Sequence, residues 1–180
     1  MPEATLEELR YPLGRLEMRP ELDPEERSRC IDRIAALPAA LRAEVEGLVD
    51  ECLDTPYRSG GWTVRQVVHH LPDSHMNSYV RFKLAATEDQ PTITTYEEAQ
   101  WAEMPDARDS PVEVSLQLLE ALHDRWTAFL RTLDDDGWKR TFIHPELGTM
   151  TLEQLVQVYC WHSRHHLAHI TRLKERMGWT

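Results

Sequence analysis

Apolar residues recur at helical spacing along four stretches of this chain, and no stretch keeps the alternation of a half-buried strand. In the first, Ile31, Ile34, Leu41, Val45, Leu48 and Cys52 follow at steps of 3, 7, 4, 3 and 4, which is one helical face. Asp23-Pro24-Glu25-Glu26 ahead of it supplies an N-cap, a proline at the first helical position and an acid at the third. Pro38 lies inside the run and predicts a kink or a split, because it offers no N–H to the helical ladder. The second stretch opens on a capping box, Thr63-Val64-Arg65-Gln66, and continues through Val64, Val67, Val68, Leu71, His75, Tyr79 and Phe82, with Pro72 predicting a bend. The third starts at Ser110-Pro111-Val112-Glu113, buries Leu118, Leu119, Leu122, Trp126, Phe129, Leu130 and Leu133, and stops at Asp134-Asp135-Asp136-Gly137. The fourth begins at the capping box Thr151-Leu152-Glu153-Gln154, carries Leu152, Leu155, Val156, Tyr159, Ile170, Leu173 and Met177, and ends at Gly178.

Between these stretches the pattern dissolves. Residues 1–22 hold Pro2, Pro12, Gly14 and Pro20 without a period and read as an extended arm over one domain spanning residues 1–180. Residues 86–109, with Pro91 and Pro105, form a long connection of the kind that crosses a fold or serves function. Residues 138–150 read as a turn-rich link. The expected architecture is all-α: a four-helix bundle with the arm at its start and one long crossover between the second and third helices.

Composition narrows the function. The 31 acids against 20 bases give a net charge of −11, which argues against nucleic acid or an anionic membrane surface as partner. No apolar run reaches the length of a membrane span, and Met1-Pro2-Glu3-Ala4 opens no hydrophobic signal segment, so a cytoplasmic location is expected. Cys30, Cys52 and Cys160 are far apart and form no CxxC pair, and read as buried thiols.

The nine histidines change the picture, because four of them fall in Tyr159-Cys160-Trp161-His162-Ser163-Arg164-His165-His166-Leu167-Ala168-His169. Two pairs have the four-residue spacing that stacks side chains on one helical face: His162 with His166, and His165 with His169. At about 100° per residue, His166 falls within roughly 20° of the apolar stripe and His162 within roughly 60°, while His165 points to the other side. The inward pair is therefore His162 and His166. A satisfied pair of core-edge imidazoles fits this placement; so do two nitrogens sharing one ion. The zincin glutamate is absent, Ser163 and Arg164 standing in its neighbourhood. A catalytic ion wants a third protein ligand, and the second helix offers His69, His70 and His75; spacing favours His75, four residues beyond Leu71 on the stripe, with His70 toward one edge and His69 facing away. His123 and His144 are single and read as structural or surface residues. Trp161, nearly opposite the stripe, fits a subunit interface or cover by the arm.

The runs Leu53-Asp54-Thr55-Pro56-Tyr57-Arg58, Gly60-Gly61-Trp62-Thr63-Val64-Arg65-Gln66-Val67-Val68-His69-His70-Leu71 and Asp73-Ser74-His75-Met76-Asn77-Ser78-Tyr79 resemble the DinB/YfiT-like family of metal-dependent hydrolases. So do Trp161-His162-Ser163, His165-His166, Ala168-His169-Ile170, the tail Arg176-Met177-Gly178-Trp179, and Tyr11-Pro12 with Gly14 in the arm. The bacillithiol transferases are the nearest branch. The resemblance implies a four-helix bundle, a homodimer, and one divalent ion on three histidines, which fall here on His70, His162 and His166. It departs from spacing in choosing His70 over His75. Pro72 stands where the family has a small residue.

Zinc is the first expectation for the ion, with nickel or another divalent ion as alternatives, since imidazole suits several. Such a site activates a bound thiol or water. The implied reaction is transfer of a low-molecular-weight, bacillithiol-type thiol to an electrophile; hydrolysis of a small substrate is the alternative, and a non-catalytic metal-binding stress-response bundle the second. Asp73, one helical turn beyond His70, is a candidate to orient a ligand imidazole.

Overall fold

Residues 5–179 are described in a computed structural model, and residues 1–4 of the arm, with the opening segment read above, lie outside it. Four long helices carry the fold: α2 (Pro24–Val45), α4 (Val64–Thr87), α7 (Val112–Leu130) and α9 (Leu152–Met177). Short helices α1 (Leu6–Arg10), α3 (Asp50–Leu53), α5 (Glu98–Trp101), α6 (Pro105–Asp109) and α8 (Asp135–Lys139) lie between them. Asp23, Thr63 and Thr151 each close a capping box, so three of the long helices start where their cap residues place them. Gly178 ends α9 in the left-handed conformation at φ 68°, which costs a glycine nothing.

The packing order is not the chain order. Helix α2 lies against α7 and α9, and α4 lies against the same two, so α2 and α4 are diagonal partners. The crossover from α4 to α7 contains α5 and α6 and packs on α4, and so covers a face that a bare bundle would leave wet. That is why His69, expected to face away, is buried: its ring nitrogens meet Ser115 Oγ at 2.7 Å and the Ser110 carbonyl at 3.1 Å. Likewise Leu118, expected inside α7, is exposed, and His123 takes a core position instead.

Three further expectations are corrected. Helix α2 runs unbroken through Pro38, and the chain turns instead at Gly47, whose φ of 76° suits glycine. Helix α4 likewise continues through Pro72. The link at residues 138–150 contains a two-stranded hairpin, β1 (Thr141–His144) with β2 (Gly148–Thr151), turned at Gly148. Four-residue strands are too short for alternation to declare them. The crossover holds β1 from the other side: Ile93 donates its N–H to the Ile143 carbonyl at 3.0 Å, and Ile143 donates to Pro91 at 2.9 Å.

The apolar core forms two clusters. One gathers Ile34, Phe82, Trp126, Leu130, Leu152 and Tyr159; the other gathers Leu37, Leu41, Val67, Leu71, Leu119 and Ile170. Along α4, α7 and α9 the passage from one cluster to the other goes through histidine: His75 between Leu71 and Phe82, His123 between Leu119 and Trp126, His162 and His166 between Tyr159 and Ile170. The bundle thus has a polar layer at mid-height.

Beyond α1 the arm runs extended along α9. Gln157 donates to the Arg19 carbonyl and accepts from the Arg19 N–H, both at 3.0 Å. The Trp161 indole N–H donates to the Gly14 carbonyl at 3.2 Å, so the arm covers this outward tryptophan.

Candidate metal centre

His70 from α4 and His162 and His166 from α9 meet at the floor of a cavity of about 530 Å³. One ring nitrogen of each lies within 4.8 Å of the others. His162 and His166 are one turn apart on the inward flank of α9, as periodicity places them. His70 reaches them because α4 is an immediate neighbour of α9. The His70 and His162 Nε2 atoms stand 3.3 Å apart. Two nitrogens on one tetrahedral zinc ion would stand about 3.3 Å apart, given Zn–N bonds of about 2.05 Å.

The electrostatics suit the same use. Burial pushes His70 down to about 4, and pushes His162 and His166 well below the ordinary imidazole value, with repulsion from neighbouring histidines adding to it. All three are therefore neutral at pH 7, which is the ligating form. His166 Nδ1 is buried without a hydrogen-bond partner among the described residues, a cost that bonding to an ion through the ring would help offset. The donor set and its spacing fit a divalent cation.

The walls are set by the helices around it. The Trp62 ring lies 4.6 Å from His70 and 6.1 Å from His166, centroid to centroid. Ser74 Oγ sits 3.5 Å from His162 Nε2 and 3.3 Å from the Tyr159 hydroxyl, which donates to the Ser74 carbonyl at 3.1 Å. Arg10, Arg58 and Arg81 reach the cavity beside a single carboxylate, Glu98, whose pKa burial raises. In a chain of net charge −11, three cations at one mouth make a local positive field.

His75, favoured by spacing, does not join the three nitrogens; its Nε2 lies 3.1 Å from Nδ1 of His162, behind the ligand face. His165 and His169 pack under the arm: His165 stacks on Trp161 at 4.2 Å, and His169 stacks on Tyr57 at 4.0 Å and meets the Arg10 carbonyl at 3.2 Å. Cys160 packs toward Arg33, 4.0 Å from its guanidinium, on the side of α9 away from the cluster. No hydrogen bond joins the Asp73 carboxylate to these imidazoles; burial, with Asp106 adding, raises its pKa to about 6. The residue that sequence reasoning missed is His123, whose position four after Leu119 and three before Trp126 is the same stripe signal that drew attention to His75.

A bundle that presents three convergent neutral imidazoles at the floor of a solvent-open cavity belongs to the class of metal-centre helical bundles. The profile of the DinB superfamily matches residues 33–170, and the chain belongs to that family. It is similar to YfiT of Bacillus subtilis, named for an inferred metal-dependent hydrolase activity, at 51% identity over 173 residues, 96% of this chain and 97% of that protein. A Bacillus cereus (strain 03BB102) protein named in the same way is 49% identical over 174 residues, 97% of this chain and all of that one. The solved structure of YfiT, described as having an unusual four-helix bundle topology, superposes with a TM-score of 0.94 over 96% of this chain and 99% of that chain. A four-helix bundle protein called TT2238 shares the fold, at a TM-score of 0.56 and 19% identity over 81% of this chain and 98% of that chain.

Proposed function

We propose that this protein is a metal-dependent enzyme in which His70, His162 and His166 hold one divalent ion, zinc first and nickel as the alternative. The observation that carries this reading is the meeting of three ring nitrogens within 4.8 Å on the wall of an open cavity. Three protein ligands facing a cavity leave a coordination position for substrate, whereas structural zinc sites are closed by four. Cys160, turned away from the cluster, does not supply a fourth.

The reaction we assign is transfer of a low-molecular-weight thiol of the bacillithiol type to an electrophile. A divalent ion in such a site lowers the pKa of the thiol or water it binds. The chain's own residues do the rest. Arg10, Arg58 and Arg81 give the cavity the positive field that draws an anionic thiol. Trp62 shields one flank of the imidazoles from water, and Ser74 with Tyr159 presents hydroxyls beside His162. Glu98, the one carboxylate lining the cavity among the described residues, favours the second reading, hydrolysis, in which it would take a proton from water. The names of the Bacillus relatives support that reading too.

The two are separated by incubating zinc-loaded and metal-stripped protein with glutathione, cysteine, coenzyme A or bacillithiol and monochlorobimane, against a p-nitrophenyl ester without thiol. A rate that needs both metal and thiol supports transfer. Metal-dependent ester cleavage with no thiol effect overturns it in favour of hydrolysis. Metal binding with neither rate would make the bundle a non-catalytic metal-binding protein. We also assign a homodimer in the cytoplasm, expected near twice the 21.0 kDa chain mass by light scattering. No helix among the described residues is long and apolar enough to cross a membrane.

A further inference from the structure

Behind the candidate ligands, four polar groups from four different helices stand in line. Nδ1 of His162 on α9 is 3.1 Å from Nε2 of His75 on α4. Nδ1 of His75 is 2.8 Å from Nε2 of His123 on α7. Nδ1 of His123 is 2.7 Å from the carbonyl oxygen of Ile34 on α2. His75 and His123 are 0% and 1% exposed, so both rings are buried in the core. We infer that His75 and His123 are positioning residues that, anchored on the Ile34 carbonyl, hold His162 in the tautomer whose Nε2 is free to bind a metal ion.

The direction of the line follows from its last member. A carbonyl only accepts, so His123 must carry its proton on Nδ1. A buried imidazole without a carboxylate partner is neutral and has one N–H, so His123 Nε2 is a lone pair. It accepts from His75 Nδ1–H, which leaves His75 Nε2 as a lone pair in turn. That lone pair accepts from His162 Nδ1–H. His162 Nε2 is then unprotonated, and it is the atom that faces His70 Nε2 at 3.3 Å. Reversing any one tautomer would set two N–H groups, or two lone pairs, against each other at about 3 Å.

The anchor exists because of a proline. In a helix the carbonyl of residue 34 accepts from the N–H of residue 38, and here residue 38 is Pro38, which has none. The proline in the middle of α2 thus frees the oxygen that terminates the line. The rings are held in register by Trp126 and Tyr159, whose edges meet His75 at 5.6 and 5.1 Å between centroids, nearly perpendicular.

This inference rests on the metal-centre reading, and the test separates the two. Long-range proton–nitrogen NMR of imidazole-labelled whole protein, metal-free and zinc-loaded, reads each tautomer directly. His75, His123 and His162 are expected as Nδ1–H in both states. His75 or His123 found as Nε2–H overturns the relay even if zinc binds. A wild-type chain that takes up neither zinc nor nickel overturns the metal centre. In the second measurement, zinc affinity is set by competition with a chromophoric chelator. His123→Leu is expected to weaken zinc roughly 10- to 100-fold. His123→Gln, whose amide both accepts and donates, is expected to recover most of the loss. A folded His123→Leu protein with wild-type zinc affinity overturns the relay. If that variant does not fold, the wild-type tautomers still decide.

Discussion

Asp73 offers a test in which sign and size both follow from its surroundings. Its carboxyl sits in α4, part-buried, with Asp106 as its charged neighbour, and titrates at about 6 against an ordinary 3.8. The folded chain therefore holds the proton more tightly than the unfolded chain. Stability tied to this group is present below pH 3.8 and is lost as pH rises toward 6. At pH 7 the folded protein carries a carboxylate in a place that disfavours it, at a cost of about 3 kcal/mol before solvent screening and about 1–2 kcal/mol after it. Asp73→Asn removes the charge at nearly equal volume and helix propensity. It is expected to raise Tm by about 3–6 °C at pH 7.5. The gain should vanish near pH 4, where both chains are neutral at this position. Thermal unfolding of the metal-free protein across that range, with zinc affinity measured alongside, provides the assay. A variant less stable than wild type at pH 7.5 would refute the reasoning. So would a ten-fold loss of zinc affinity, since it would make Asp73 a partner of a ligand imidazole.

Three other experiments test neighbouring links. His162→Ala or His166→Ala is expected to lose most bound zinc by elemental analysis, while His165→Ala, whose ring is stacked on Trp161 beneath the arm, keeps it; emptying of the site by His165→Ala alone would contradict the placement. Pro38→Ala returns an N–H that competes with His123 for the Ile34 carbonyl, and should weaken zinc roughly three-fold by chelator competition without loss of helix content by circular dichroism. Thr151→Ala deletes the hydroxyl that accepts from the Gln154 N–H at 3.1 Å, and should lower stability by about 1 kcal/mol in urea unfolding, with Tm down by about 2–4 °C.

Much of the fold is legible in the chain because its signals are local. Capping boxes at Asp23, Thr63 and Thr151 depend only on residues three apart, and each opens its helix where expected. The apolar stripe of α9 needs only the helical period, and it selects His162 and His166 over His165 and His169. Proline, by contrast, misleads when read locally. Pro38 and Pro72 predict breaks, yet both helices continue, since burial on neighbouring helices outweighs one missing hydrogen bond. The β1–β2 hairpin escapes because four-residue strands carry too little pattern.

The third nitrogen and everything behind the first three belong to tertiary structure. On α4 both His70 and His75 turn inward, and periodicity ranks His75 higher because it is nearer the stripe centre. Periodicity fixes the angle around a helix axis and says nothing of height along a neighbour. His70 and His75 differ by more than a turn, about 7.5 Å along the axis, and that rise decides which one meets the cavity and which one stands behind His162. The family resemblance supplied His70, but not the role of His75, nor that of His123. Those depend on α2 and α7 meeting α4 and α9 at one level, where a carbonyl freed by Pro38 is within 2.7 Å of an imidazole. Four amphipathic helices, the capped starts of three, and the inward pair on the last are written in the local pattern of the chain. Only the packed bundle decided which histidines face the cavity and which support them, because hydrogen-bond partners contributed by four separate helices leave no mark in the spacing of any one.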